Sequence, residues 1–204
     1  MKLFRKLIIK RAVAIVLICF AANSLFASEK MVFEMYLMGK SIGTLSVTHS
    51  KLEDGSDHYF LTSKARAKVL WVEREQNTKY EIVYKNGMLI RSSYSYIENT
   101  GNNIICDIKL DNDKYSVKRN GKLFSFSGKP SHSIISVYFN EPKNLKKVFY
   151  EPDAVFADIK YLGGNAYEFV SPDGTRNVYF YTNGKLSGME FHQSLFTVKV
   201  KRVL

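Results

Sequence analysis

Three Asn-Gly pairs constrain the possible folds of this chain more than any other feature. They stand at Asn86-Gly87, Asn120-Gly121 and Asn183-Gly184, between runs rich in β-branched and aromatic residues. Both residue types tolerate the positive φ angles that a type I′ turn needs, and the twist of that turn matches the twist of the strands it joins. Each pair therefore predicts a β-hairpin, and most of the chain is predicted to form antiparallel strands.

Further turn signals divide residues 31–204 into short segments of regular length. They include Gly39-Lys40, Asp54-Gly55, Gly163-Gly164 and Pro172-Asp173-Gly174. About a dozen strands at such spacing must twist and curl instead of forming a flat sheet. Nearly every connection is a tight hairpin, whereas a sandwich needs longer crossings. The predicted fold is all-β: an antiparallel meander curled into a barrel-like or open spiral sheet.

One stretch departs from the strand pattern. Gly128-Lys129-Pro130-Ser131 leads into a segment in which Ile134, Ile135, Tyr138 and Phe139 have helical spacing, and Pro142 ends it. The sequence predicts a short helix or crossover near residues 131–141 that plugs one end of the sheet.

The N-terminus has the layout of a secretory signal peptide. A cationic start through Arg11 precedes an apolar run over residues 12–22, and small residues follow at Ser24 and Ala27. We place cleavage after Ala27, with Ser24 as the alternative site. This divides the chain into a signal peptide at 1–27 and one all-β domain at 28–204, and it predicts a periplasmic or secreted protein. The alternative is a membrane anchor, but the run is shorter than the roughly 20 residues that a spanning helix needs.

Charge and cysteine content agree with this division. Five of the 30 basic residues and none of the 19 acidic residues lie in residues 1–27, so the remainder carries a net charge of only +6. This mild charge gives no reason to predict a nucleic-acid partner. Cleavage would leave Cys106 alone, between Ile104 and Ile108 on one strand face. We interpret Cys106 as a core residue, because the local sequence shows no base that would activate it.

The longest strand candidate, residues 57–72, has two distinct faces. One carries Lys64, Arg66 and Lys68, and the other carries Tyr59, Leu61, Ser63, Ala65, Ala67, Val69 and Trp71. Such alternation predicts one packed and one solvated side. The basic row is interpreted either as a contact for an acidic glycan or lipid head groups, or as a solvated face that discourages edge pairing. Small residues at 63, 65 and 67 would allow a close approach to the packed face.

Aromatic residues provide the candidate ligand-binding group. Trp71, Tyr94 and Tyr96 are interpreted either as an open face that holds a sugar or an acyl chain, or as core residues, which aromatics on strands more often are.

Several short motifs resemble an uncharacterised (domain of unknown function) family of exported Gram-negative bacterial β-proteins. They lie at residues 39–43 (GKSIG), 136–142 (SVYFNEP), 171–174 (SPDG) and 179–181 (YFY). The resemblance implies an envelope location and a curled antiparallel sheet. It implies no activity, ligand or catalytic residue.

The sequence predicts no cofactor and no metal site. His49, His58, His132 and His192 are scattered without a second ligand at metal spacing. The leading hypothesis is a non-catalytic envelope protein that holds an apolar or amphipathic ligand, such as a lipid, an acyl chain or a glycan, or docks an envelope protein.

Two alternatives remain. The first is a hydrolase acting on cell-wall or glycan material, with Glu141 and Glu151 as the two carboxylates. The second is an outer-membrane barrel, which the terminal Leu204 and the short strands disfavour. We therefore expect no membrane-spanning protein after signal cleavage.

Overall fold

The computed structural model describes residues 28–69, 71–193 and 195–204, which form fourteen strands and one short helix. The first eight strands are β1 (Glu29–Leu37), β2 (Lys40–Lys51), β3 (Asp57–Val69), β4 (Val72–Lys85), β5 (Met88–Glu98), β6 (Ile104–Asp111), β7 (Lys114–Arg119) and β8 (Lys122–Phe126). They are followed by α1 (Ser136–Phe139), β9 (Lys147–Tyr150), β10 (Val155–Gly163), β11 (Ala166–Val170), β12 (Arg176–Thr182), β13 (Lys185–His192) and β14 (Thr197–Arg202). Among the described residues, no helix is long and apolar enough to cross a membrane.

All fourteen strands belong to one antiparallel sheet, in the order β8-β7-β6-β5-β4-β3-β2-β1-β14-β13-β12-β11-β10-β9. The chain starts at the centre with β1, runs outward to the edge strand β8, crosses to the opposite edge at β9, and returns to β14, which pairs with β1. The prediction of an all-β, curled antiparallel meander is confirmed. The segment between β8 and β9 is the one long crossing within the described chain.

The three Asn-Gly pairs form the predicted hairpin turns. Their φ angles are 52° and 73° at Asn86-Gly87, 45° and 81° at Asn120-Gly121, and 52° and 75° at Asn183-Gly184. Positive values at both central positions are the signature of a type I′ turn.

The predicted C-terminal end of β3 was wrong. The strand stops at Val69, which pairs with Val72 at the start of β4. The longest strand is therefore β4, with 14 residues, and Trp71 lies in the turn with 90% of its surface exposed. Trp71 does not share the packed face of Leu61 and Ala65. The error arose because residues 70 and 71 contain none of the Gly, Asn or Pro residues that usually mark a turn.

The helix α1 plugs one end of the curled sheet, as predicted. Val137, Tyr138 and Phe139 are buried. The Tyr181 hydroxyl donates a hydrogen bond of 2.8 Å to the Val137 carbonyl. The Glu141 amide donates one of 3.1 Å to the carbonyl of Gly184, in the β12–β13 turn. The crossing therefore closes the end of the sheet at which that turn lies.

The two edge strands are bridged by the crossing without pairing with each other. The Phe149 amide on β9 donates to the His132 carbonyl (2.7 Å), and the Ile134 amide donates to the Phe149 carbonyl (3.1 Å). The Arg119 side chain on β7 donates to the Pro152 carbonyl (2.9 Å) and pairs with Asp153. We call these contacts the seam. They curl the sheet around an interior without a continuous hydrogen-bonded barrel.

Candidate functional site

The curled sheet encloses a cavity of about 450 Å³, which is open at the end opposite α1. Apolar side chains from the first three strands form much of its wall: Met35, Leu37, Ile42, Leu45 and Leu61. The crossing and α1 supply the floor through Ile134, Ile135 and Tyr138, all of them buried. Because inward-facing residues alternate with outward-facing ones along each strand, the pleat of the sheet determines which side chains reach the cavity.

Small residues on β3 help to leave this space open. Ser63, Ala65 and Ala67 line the cavity. Lys64, Arg66 and Lys68 alternate with them and are exposed on the outer surface. The predicted division of this strand into a packed and a solvated face is confirmed over residues 57–68.

The mouth of the cavity is polar. Arg74, Gln76, Glu98, Asp173 and Gln193 lie at strand ends or in the turns around it. Arg74 Nη1 lies 3.2 Å from Glu98 Oε1, and the Glu98 side chain is only 4% exposed whereas that of Arg74 is half exposed. The site therefore grades from an apolar floor to a charged, hydrogen-bonding rim.

Two of the three aromatic residues singled out from the sequence reach the cavity. Tyr94 and Tyr96 line it, and Trp71 does not. The Tyr96 hydroxyl donates to Gln76 Oε1 at 2.8 Å, and the Tyr94 ring lies edge-on to Tyr80 at 5.0 Å between ring centroids. Ligand binding by these residues stays a prediction.

Sequence reasoning missed four other tyrosines of the cavity: Tyr80, Tyr138, Tyr150 and Tyr179. Alternation along β12 places Asn177, Tyr179 and Tyr181 on one face and is the signal that would have found Tyr179. No local sequence pattern marks Tyr150. Its position at the cavity results from the path of the crossing.

A buried carboxylic acid lies behind the cavity wall. Glu151 has no exposed surface, and it accepts a hydrogen bond from the Tyr80 hydroxyl, while its Oε1 atom has no partner. Burial raises the pKa of Glu151 to about 7, because the ionised form loses its hydration. The hydrogen bond from Tyr80 lowers the pKa of Glu151 and is a smaller effect than burial.

Glu141 and Glu151 have separate environments. Glu141 accepts a hydrogen bond from Tyr167 (2.9 Å) and lies 3.4 Å from Lys143, near the β12–β13 turn. Neither carboxylate lines the cavity. No contact among the described residues supports the pairing that the hydrolase alternative requires.

Comparison with known proteins agrees with this architecture. A family model for a domain of unknown function, DUF6134, matches residues 33–203. The chain belongs to this family. A solved structure that it resembles is a beta-barrel-like protein of a domain of unknown function, DUF1849, from Brucella abortus. The two are 11% identical, with a TM-score of 0.59, over 88% of this chain and 96% of that one.

At this identity, the likeness shows the fold alone, and it confirms the barrel-like all-β class. The predicted membership of an uncharacterised family is also confirmed, and the predicted export stays a prediction. The search of curated proteins found no match.

The basic row of this family member lies outside the cavity, and acidic partners accompany it. Arg66 forms an ion pair with Glu73. In the β3–β4 register, Arg66 lies opposite Glu75 and Lys68 lies opposite Glu73. These carboxylates offset much of the positive charge on this surface. Its role as a contact for anionic groups stays a prediction.

The candidate nucleophile Cys106 and the histidines do not form a catalytic or metal-binding site among the described residues. Cys106 is fully buried, and burial raises the pKa of its thiol to about 12, which confirms its interpretation as a core residue. His132 is exposed, whereas its neighbour Ser133 is buried and accepts a hydrogen bond from the Ile135 amide. Within residues 28–69, 71–193 and 195–204, no group of three His, Cys, Asp or Glu side chains has metal-binding geometry.

Proposed function

We propose that this protein is a non-catalytic, exported envelope protein that holds an apolar or amphipathic ligand inside its curled sheet. The observation that supports the proposal is the open cavity of about 450 Å³, with its apolar floor and polar mouth. Ligand pockets typically measure about 300–1,000 Å³ and combine apolar walls with a few placed polar groups.

The arrangement fits a ligand that enters with its apolar part first. Transfer of apolar surface from water to the cavity wall contributes about 25 cal/mol per Å². The charged pair of Arg74 and Glu98 would remain beside the solvent-facing end of the ligand. The sheet and the helical plug would hold the cavity open, so that binding needs little rearrangement of the backbone.

Export is the second part of the proposal. The cationic and apolar segment before Ser28 supports it, and residues 1–27 lie outside the described residues. An exported carrier of an apolar molecule would work in an aqueous compartment, where the interior of the sheet shields that molecule from water.

Extraction of the native protein tests both parts. We would express the full chain with its own N-terminus, purify it without detergent, and analyse the solvent extract and the intact protein by mass spectrometry. We expect an apolar molecule at close to one per protein, and a polypeptide mass that starts at Ser28. Ala67→Phe, which adds a ring to the cavity wall, should remove most of this molecule.

The matched control is Lys68→Phe, which adds the same ring to the outer face of β3 and should retain the ligand. A parent protein that is empty after native purification and takes up no lipid or fatty acid would contradict ligand binding. A polypeptide that retains residues 1–27 would contradict cleavage and, with it, the proposed route of export.

A further inference from the structure

Four of the tyrosines that line the cavity have hydroxyl groups without a hydrogen-bond partner among the described residues. They are Tyr94, Tyr138, Tyr150 and Tyr179. None of the side-chain hydrogen bonds in the described parts of the chain involves these hydroxyls. Six other tyrosines have hydroxyls that donate to protein groups: Tyr36, Tyr80, Tyr96, Tyr115, Tyr167 and Tyr181.

The four side chains come from different walls of the same space. Tyr138 and Tyr179 meet edge to face, with ring centroids 6.1 Å apart. This lies within the roughly 4.5–7 Å typical of aromatic pairs. Phe169 links Tyr150 to this pair. The centroid of its ring lies 5.5 Å from that of Tyr150 and 6.3 Å from that of Tyr179. Tyr94 lies on β5, beside Tyr80. The four tyrosines therefore line the cavity from β5, α1, the end of β9 and β12.

A purely apolar ligand would not use these groups. Phenylalanine has nearly the same shape and no polar side-chain atom, so it would be sufficient at these positions for contact with an alkyl chain. A buried hydroxyl that loses its partner costs about 1–3 kcal/mol. Since a ligand that displaces water must replace the hydrogen bonds of that water, an oxygen-free ligand would leave the four hydroxyls unsatisfied.

Among the described lining residues, none in the interior of the cavity carries a charge that would pair with an ion. Its charged lining residues, Arg74, Glu98 and Asp173, belong to the mouth. Burial raises the pKa of Tyr94, Tyr138, Tyr150 and Tyr179, so all four are neutral at physiological pH and can donate a proton in a hydrogen bond. The interior therefore offers neutral donors in an apolar setting.

We infer that the ligand is a neutral molecule with an apolar body that places carbonyl, ester or ether oxygens against these tyrosine hydroxyls. The inference rests on the proposed function and narrows it. It disfavours both a saturated hydrocarbon chain and a ligand whose charged group lies deep in the cavity.

Three small probes that share two phenyl rings on one carbon separate these ligand classes: diphenylmethane, benzophenone and diphenylacetate. The first two differ by one group, CH₂ against C=O, and the third carries a charge. Binding is measured with the delipidated parent protein by titration, using the NMR signals of the tyrosine rings. We expect benzophenone to bind about tenfold more tightly than diphenylmethane, and diphenylacetate to bind most weakly.

Tyr150→Phe and Tyr179→Phe identify the groups responsible. Each should weaken benzophenone binding by about 2- to 10-fold, the loss expected for one hydrogen bond, and leave diphenylmethane unchanged. Tyr161→Phe is the matched control, because Tyr161 is exposed and does not line the cavity.

The outcomes distinguish a failure of this inference from a failure of the proposed ligand-binding function on which it rests. Diphenylmethane binding as tightly as benzophenone to the parent would overturn the inference and leave the ligand-binding function in place. Failure of all three probes, together with an empty native protein, would overturn both. A co-purified ligand without oxygen acceptors, or with a charge at its buried end, would also overturn the inference alone.

Discussion

Glu151 is the residue whose environment has the clearest consequence for stability. Its carboxyl group is buried beside Tyr80 and lacks a partner at Oε1. Desolvation raises the pKa of Glu151 from 4.5 to about 7 in the folded protein. In the unfolded chain the group is hydrated, so between these two values the folded state binds more protons than the unfolded state. The free energy of unfolding must therefore fall as the pH rises through this window.

We expect the ionisation of Glu151 to make the free energy of unfolding about 3 kcal/mol lower at pH 8 than at pH 4.5, because one pKa unit corresponds to about 1.4 kcal/mol. Glu151→Gln keeps the shape and an acceptor for Tyr80 but cannot ionise. Its free energy of unfolding should match that of the parent near pH 5 and exceed it at pH 8, as measured by urea denaturation at each pH.

Glu53→Gln serves as the control, since Glu53 is exposed and its replacement should leave the difference between pH 5 and pH 8 intact. A Glu151→Gln variant that follows the parent at every pH would show that ionisation of this residue is not coupled to folding.

At the scale of single elements, Gly43 on β2 permits the close approach of β3. A Cβ atom at this position would lie 2.0 Å from the Lys64 carbonyl oxygen and 2.7 Å from the Ala65 Cα atom. Gly43 pairs with Met35 on β1, just before a register shift between Met35 and Tyr36. The missing side chain thus lets the strands pack closely where the sheet is irregular.

Gly43→Ala should lower the free energy of unfolding by about 1–3 kcal/mol or more, because the new methyl group meets backbone atoms that cannot move independently. Equilibrium urea denaturation gives the difference. Gly128→Ala is the matched control: the nearest atom to its added Cβ is 3.6 Å away on Phe156, an ordinary contact. Equal losses in the two variants would argue against the close approach of β2 and β3.

The turns show how far individual elements can be predicted from sequence. The turns at the three Asn-Gly pairs, such as Asn86-Gly87, are predictable because Asn and Gly adopt positive φ angles at a low energetic cost. The turn after Val69 has no such signature, and it forms where the paired faces of β3 and β4 require the chain to reverse. Trp71 was misplaced for this reason, whereas Tyr94 and Tyr96 were grouped by their alternation within one strand.

At the scale of the whole molecule, the cavity depends on contacts that no local pattern encodes. The pairing of β1 with β14 joins the two ends of the domain, so that Phe33 lies opposite Arg202. This pairing joins the half of the sheet that contains Tyr94 to the half that contains Tyr179, and both residues line the cavity. A meander of curled strands was predictable from turn spacing, but the order of its two halves was not.

The seam is the second global feature, because it curls the sheet without joining its edge strands. Arg119 contributes two contacts to it, a 2.9 Å hydrogen bond to the Pro152 carbonyl and an ion pair with Asp153, at positions about two-thirds buried. Hydrogen bonds from a charged donor typically contribute about 1.5–3 kcal/mol, and solvent screening of this partly exposed pair reduces that figure.

Arg119→Ala should therefore lower the free energy of unfolding by about 1–2 kcal/mol. It should also increase amide hydrogen exchange locally, in β9 and in the turn that follows it, while the amides of β1 and β14 at the sheet centre change only with global stability. Lys118→Ala, which removes an exposed cation from the preceding position on β7, should leave the exchange pattern of β9 unaltered. If exchange in β9 stays at the parent level in Arg119→Ala, the crossing alone closes the sheet, through the backbone bonds of His132 and Ile134 with Phe149.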